Sequence, residues 1–219
     1  MSITIYGASL SPYVRKVRLA LAFKQLDYEL VPVIPMGPDQ PEVFKAHSPL
    51  GKIPLAHIDG EWLADSSVIL AYLEKTRPQP ALLSEDPAQM ARALWFEEYA
   101  DTHLVGVVGG HLFAELVLAP HFFNRETNHQ DVELAKTEEL PAIFDYLESQ
   151  LDAPYALGDQ LGHADICLCS PFINMHYCDV FCGETRWPKT AAYIERVTSS
   201  PLFNEVLEDE KAFFAALKG

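Results

Sequence analysis

A mixed α/β domain followed by an all-helical one is the fold class this sequence predicts, on three observations. Short alternating apolar runs, the mark of half-buried strands, are confined to the first eighty residues. From Asp86 onward every apolar pattern has helical spacing. Charge changes at the same boundary: residues 1–80 hold eight basic and eight acidic side chains, and the remaining 139 hold eight basic and twenty-three acidic. The expected domains are 1–80 and 88–219, joined by a linker at 81–87.

Residues 2–7 alternate and stop at Gly7, which makes a short strand. Ser11-Pro12 then signals a helix start, with Ser as N-cap and Pro as the first helical residue. Val14, Val17 and Leu21 follow at helical spacing with charges between them. Residues 28–34 form a second strand, and Pro32 suggests that it lies at a sheet edge. The stretch from Pro35 to His47 holds three prolines and one short helix. Strands at 55–58 and 61–63 join through an Asp59-Gly60 turn. A helix runs from about Ser66 to Lys75 behind Asp65. The β-α-β-α-β-β-α order describes a thioredoxin-like sheet. Helices follow at 88–119, 131–151, 163–178, 188–199 and 203–217. Gly106, Gly109 and Gly110 fall inside the first of them, each costing up to about 1 kcal/mol against Ala. They predict a kink or a close approach by another element.

The composition narrows the function classes. A chain of 219 residues, 49% hydrophobic, has the material for a real core. No run of 18 apolar residues predicts a membrane span, and the N-terminus reads as a buried strand rather than a signal peptide. A net charge of −15 argues against nucleic acid, whose phosphates need basic patches. The four cysteines lie between Cys167 and Cys182 and read as buried thiols in a reducing, cytoplasmic compartment. Cys178 and Cys182, with His176 nearby, lack the second paired set that structural zinc requires, so no metal is expected.

Three short motifs carry the chemistry. They are Ser11-Pro12-Tyr13 after the first strand, Lys52-Ile53-Pro54 before the third, and Asp65-Ser66 before the third helix. In this order and element context the chain resembles the cytosolic glutathione transferase superfamily, serine type, most of all its tau-like and related bacterial forms. The resemblance covers essentially the whole chain. It implies glutathione as co-substrate, a hydrophobic small-molecule electrophile and a homodimer. It also implies a cis bond before Pro54, offering the Ile53 N–H and C=O to the extended tripeptide in the manner of an added strand. Lys52 would donate to the glycyl carboxylate.

Asp65 and Ser66 stand at a helix N-terminus, where free N–H groups attract anions and where both residue types are also good caps. A γ-glutamyl head suits the pair, its carboxylate on Ser66 and its ammonium on Asp65. The family usually has Glu where this chain has Asp65, and a water could bridge the shorter arm.

Ser11 is assigned to catalysis. Lowering a thiol pKa by about two units needs ~2.7 kcal/mol of preference for the anion. One hydrogen bond to a charged group contributes ~1.5–3 kcal/mol, so a single hydroxyl is of sufficient size. Ser9 is the next candidate.

No cysteine precedes residue 167, so sulfur exchange through a protein thiolate is not expected. That favours conjugation. The alternatives are a glutathione-dependent peroxidase or disulfide reductase on the same scaffold, and a non-catalytic protein that binds glutathione or a partner. A zeta-like isomerase is less favoured, since its S-S-x-S start is absent. The expected electrophile pocket involves Leu10, Tyr13, His103 and Val107. His103 and His111 read as polar residues on one helix. In GDQLGHADICL the family has Ser or Thr where this chain has Gly162, and Asp165 would be the third helical residue with Leu161 and Ile166 as a hydrophobic staple.

Overall fold

The computed structural model describes residues 2–35, 37 and 39–218, the side chains of Leu217 and Lys218 excepted. Met1 and Gly219, the outer ends of the two predicted domains, lie outside the described residues, as do Met36 and Pro38.

Alternation along β1 (Ile3–Gly7) buries Ile3, Ile5 and Gly7 and leaves Thr4 and Tyr6 half-buried. This strand pairs in parallel with β2 (Glu29–Pro32) and antiparallel with β3 (Leu55–Ile58). β3 in turn pairs antiparallel with β4 (Glu61–Ala64). The order is β2-β1-β3-β4, so the strand that carries Pro32 is an edge strand, where a missing N–H is tolerated. Asp59 and Gly60, with φ of 52° and 93°, form the two-residue turn between β3 and β4. At Gly7 a Cβ would stand 2.5 Å from Val14 Cγ2, so only glycine lets β1 pass this close to the first helix.

That helix, α1 (Pro12–Phe23), departs from the sequence reading. Val14, Val17 and Leu21 are buried, but so are the charges between them: every residue from Val14 to Leu21 is buried. The explanation lies in α10 (Pro201–Lys218). Arg15 and Glu210 are both 0% exposed. Arg15 Nε donates to the two carboxylate oxygens at 3.1 and 3.0 Å, and Nη2 donates to Oε1. Arg18 donates to Asp209 Oδ1 at 2.8 Å and to the Tyr28 hydroxyl at 2.7 Å. The chain accordingly divides into two compact units, one comprising the chain up to Leu82 with Glu205–Lys218, the other Leu83–Asn204. The sequence reading gave the whole tail to the helical domain. Its acidic side chains, paired with buried arginines of α1, assign residues 205–218 to the first unit instead.

Two shorter helices complete this unit, α2 (Glu42–His47) and α3 (Ser66–Thr76). Lys24 fastens the segment that leaves α3: its Nζ donates to the carbonyls of Arg77 and Pro80 at 2.7 and 2.9 Å and pairs with Glu74 at 2.7 Å.

The second unit is helical apart from one isolated bridge between Tyr155 and Gly158. Asp86 caps α4 (Pro87–Glu98), accepting from the Gln89 N–H at 2.8 Å. The run then continues with wider, π-type winding over Tyr99–Leu104 and Gly106–Leu118 before a last turn, α5 (Ala119–Phe122). A Cβ added at Gly106 or Gly110 would meet nothing within 4 Å, and at Gly109 only Val105 of the same run. Close approach by another element therefore does not account for the glycines; they sit where the winding changes. The run Pro87–Phe122 is long and apolar enough to cross a membrane by composition alone, yet 44% of its most apolar window is buried within the protein. It packs against the helix His163–Tyr177 as a core helix.

The remaining elements are α6 (His129–Leu134), a π-wound turn at Ala135–Glu139, α7 (Leu140–Gln150), α8 (His163–Tyr177) and α9 (Pro188–Thr198). α8 is buried without interruption from His163 to Met175. Gly162 starts it without a side chain to offer, and Asp165 compensates. Asp165 accepts from the Gly162 N–H at 2.8 Å through Oδ2, and from the Ala156 N–H and the Tyr193 hydroxyl at 2.8 and 2.9 Å through Oδ1. At α9 the Glu148 carboxylate accepts from the Lys189 and Thr190 N–H groups and the Thr190 hydroxyl.

Two stability predictions follow from these bonds. Glu210→Ala strands a buried guanidinium and lowers the unfolding free energy by about 3–5 kcal/mol, while Arg15→Met with Glu210→Leu recovers most of the loss. Chemical denaturation of the three proteins measures both. Burial alone would raise the Glu148 carboxyl, but its bonds from Thr190 and Lys189 outweigh that and hold it below its ordinary 4.5. A depressed carboxyl contributes stability above its unfolded pKa and loses it as pH falls through the folded value. The stability gap between wild type and Glu148→Gln should be open at pH 7 and close below about pH 4.5; a gap constant down to pH 3 would contradict the assignment.

Candidate functional site

Strand register brings the three motifs to one end of the sheet. Tyr6 pairs with Leu55, and Leu55 with Ala64, so these residues form a row across β1, β3 and β4. Just beyond that row lie the start of α1, reached through Gly7, then Ile53-Pro54 before Leu55, and Asp65-Ser66 after Ala64. Gly7 marks the meeting point: the Cβ that would overlap Val14 would stand 3.5 Å from Ile53 Cβ.

Ser11 caps α1 with extended backbone angles (φ −72°, ψ 127°). Its N–H donates to the Ala8 carbonyl at 3.0 Å, and its own carbonyl accepts from the Arg15 N–H at 2.9 Å. Its Oγ accepts from the Val14 N–H at 3.4 Å, a long capping bond that leaves the hydroxyl proton uncommitted among the described residues. The side chain is half-buried. Ser9 is half-buried too, so exposure does not separate the candidates. Leu10, between them, is buried, and its carbonyl accepts from Arg15 Nη2 at 3.5 Å.

The Ile53–Pro54 bond is cis. Ile53 packs on Val33, Phe44 and Leu55. Its main-chain N–H and C=O have no partner among the described residues. Lys52 is exposed and forms no ion pair among the described residues; its carbonyl accepts from Ser48 Oγ at 2.8 Å.

Asp65 has φ 85° and ψ 134°, a backbone region costly for a residue other than glycine. Its Oδ1 accepts from the Ser67 and Val68 N–H groups at 2.9 and 3.3 Å. Asp65 is thus the cap of α3, with its second oxygen uncommitted among the described residues. Ser66 is 3% exposed, and its hydroxyl likewise makes no bond among the described residues.

The residues expected to meet an electrophile differ in exposure. In the first unit Leu10 is buried and Tyr13 half-buried; in the second His103 is exposed and Val107 buried. His103 meets the Tyr99 ring edge-on at 5.3 Å, and His111 Nδ1 lies 2.6 Å from Glu139 Oε2.

Lys16 is the residue near the site that the sequence reading missed. It is 1% exposed, and its Nζ donates to Ser67 Oγ at 3.2 Å. The available signal was the density of cations at positions 15, 16 and 18, more than one solvated face of a helix needs.

Cys178 and Cys182 are half-buried rather than buried, and His176 stacks on Phe181 at 5.0 Å. Among the described residues, the trio able to offer metal donors is Glu97, His163 and Cys167, whose ligand atoms lie within 4.8 Å of one another. All three are buried, and His163 Nε2 stands 2.7 Å from Glu97 Oε2. Burial alone would lower the imidazole, but Cys167 and Glu97 outweigh it and push it up to about 10. The trio is a self-compensating polar cluster in the helical core.

Comparison with known proteins gives a consistent picture. Residues 10–76 match the glutathione S-transferase N-terminal domain family, and residues 111–201 the glutathione S-transferase C-terminal domain family. Maleylacetoacetate isomerase of Rattus norvegicus is 31% identical over 162 residues, covering 73% of this chain and 71% of that protein. A glutathione S-transferase of Hyoscyamus muticus is 34% identical over 173 residues, covering 76% and 79%. The crystal structure of a glutathione S-transferase from Rhodospirillum rubrum superposes with a TM-score of 0.84 at 27% identity, over 94% of this chain and 91% of that one.

The geometry of Asp65 separates capping from charge. Asp65→Ala should cost about 1 kcal/mol of stability through the lost cap, while Asp65→Asn, an equally good cap, should cost only a few tenths. Thermal and chemical denaturation of the pair tests this, and equal losses would show that the side chain does not cap α3.

Proposed function

Because the chain belongs to the glutathione S-transferase family, we propose that it is a glutathione-using enzyme of the serine type, in which Ser11 stabilises the thiolate of bound glutathione. The observation that carries this reading is the meeting, at one end of the sheet, of the uncommitted Ser11 hydroxyl and the unpaired main chain of Ile53. In this reading the tripeptide lies antiparallel along Ile53, as an added strand would. The Ser66 hydroxyl and the Ser66 N–H, the one N–H of the first turn that Asp65 does not take, receive the γ-glutamyl carboxylate. The free oxygen of Asp65 faces the ammonium, directly or through water, and Lys52 pairs with the glycyl carboxylate.

The sulfur then sits beside Ser11. As N-cap the serine uses a lone pair toward its own helix and points its proton at sulfur. That bond, with the helix N-terminus behind it, favours the anion. The thiolate attacks an electrophilic carbon, and holding both partners supplies the rest of the acceleration. In the first unit, Leu10 and Tyr13 are our candidates for contact with the electrophile. The enzyme works as a cytoplasmic homodimer in this reading, its thiols reduced.

A second reading has support in the relatives named maleylacetoacetate isomerase. The sequence reading placed an isomerase lower for want of an S-S-x-S start, but the identity with these proteins argues for testing it directly. Transfer and isomerisation share addition of the thiolate to an activated carbon. They differ in whether sulfur stays on the product or leaves again.

Ser11→Ala should reduce kcat/KM by about tenfold to a hundredfold, the equivalent of ~1.5–3 kcal/mol of hydrogen bonding to an anion. A chloronitrobenzene assay measures transfer, and consumption of a cis-enedione with catalytic glutathione measures isomerisation. Cumene hydroperoxide covers peroxidase activity. Unchanged rates in Ser11→Ala across all three would remove the assignment and leave Ser9→Ala as the next variant.

A further inference from the structure

We propose that Lys16 is a positioning residue for the γ-glutamyl half of glutathione, acting through Ser67; this rests on the glutathione reading above. Lys16 is 1% exposed, and lysine is among the residues least often buried. A side chain in a helix leans back toward the N-terminus, so Lys16, in the second turn of α1, reaches toward the end of the helix that Ser11 caps. There its Nζ donates to Ser67 Oγ at 3.2 Å. Ser67 is the second residue of α3, and its N–H donates to Asp65 Oδ1 at 2.9 Å. A single residue is thus gripped on its hydroxyl by a cation from α1 and on its N–H by the carboxylate that caps α3.

Two features make this grip matter for a ligand rather than for packing alone. Asp65 holds φ 85°, a conformation that persists only where surrounding contacts over-determine it. The Lys16–Ser67 bond is such a contact, and the turn it steadies carries both γ-glutamyl candidates, Asp65 and Ser66. The charge is also placed against the local field. The N-terminus of α3 is its positive end, where an ammonium is disfavoured and an anion welcomed. A buried cation there adds to the attraction for an incoming carboxylate and offsets the repulsion from Asp65.

The test compares ligands that share the thiol but not the γ-glutamyl group. Affinities for glutathione and for cysteinylglycine are measured by calorimetry on the full chain and on Lys16→Met, Lys16→Arg and Ser67→Ala. In both Lys16→Met and Ser67→Ala the ratio of the two affinities should fall about tenfold, the effect of one hydrogen bond from a charged group. Lys16→Arg should restore part of it. Should Lys16→Met fail to fold, Ser67→Ala alone decides, since it removes the acceptor and leaves the core intact. A ratio unchanged within twofold in Ser67→Ala overturns the proposal while leaving the glutathione reading standing. Absence of glutathione binding by the wild type overturns both.

Discussion

The buried pair of Arg15 and Glu210 is the constraint on which the first unit depends. Taking two charges out of water costs several kcal/mol each, and only good geometry and further hydrogen bonds repay it. Here the guanidinium meets the carboxylate at several points and also reaches the Leu10 carbonyl. α1 can therefore be buried from Val14 to Leu21 despite three cations in that stretch. The pair also ties residues 195 apart, joining the tail helix to the helix that Ser11 caps. The unequal distribution of charge along the chain acquires a use: acidic residues of the tail neutralise basic residues near the start.

Much of the fold could be read in advance because its signals are local. Pro32 marked an edge strand, Asp59-Gly60 a two-residue turn, and Ser11-Pro12 a helix start, each through a backbone property of those residues. Val14, Val17 and Leu21 marked the buried stripe of α1. The same spacing argument said nothing of where Arg15, Lys16 and Arg18 would be buried, because their partners lie far along the chain or on another element. The tail was assigned to the wrong side of the boundary for the same reason. In the helical unit, the three glycines signalled irregularity, but nothing in them chose between a kink, a neighbour and a change of winding.

The site was legible to a similar depth. Motif order foretold that three segments belong together, and the row Tyr6, Leu55, Ala64 gives the physical reason: antiparallel register places the ends of those strands side by side. What the motifs could not reveal is how the turn at Asp65 is held. The same carboxylate caps α3, accepts a strained backbone and keeps one oxygen in reserve, while Lys16 supports it from a different helix. Such a division of labour is set by distances between elements, and no spacing within one motif encodes it.

The wide winding between Tyr99 and Leu118 has a geometric corollary. An α-turn takes 3.6 residues, so each residue advances the viewing direction by about 100°. Where the carbonyl reaches one residue further, that advance shrinks, and the familiar three-and-four spacing ceases to identify neighbours on a face. His103, Val107 and His111 would share a stripe on a regular helix, yet here they differ in exposure. Loss of one residue from this stretch can be absorbed by tightening a wide turn to an α-turn, which leaves the faces beyond it pointing as before.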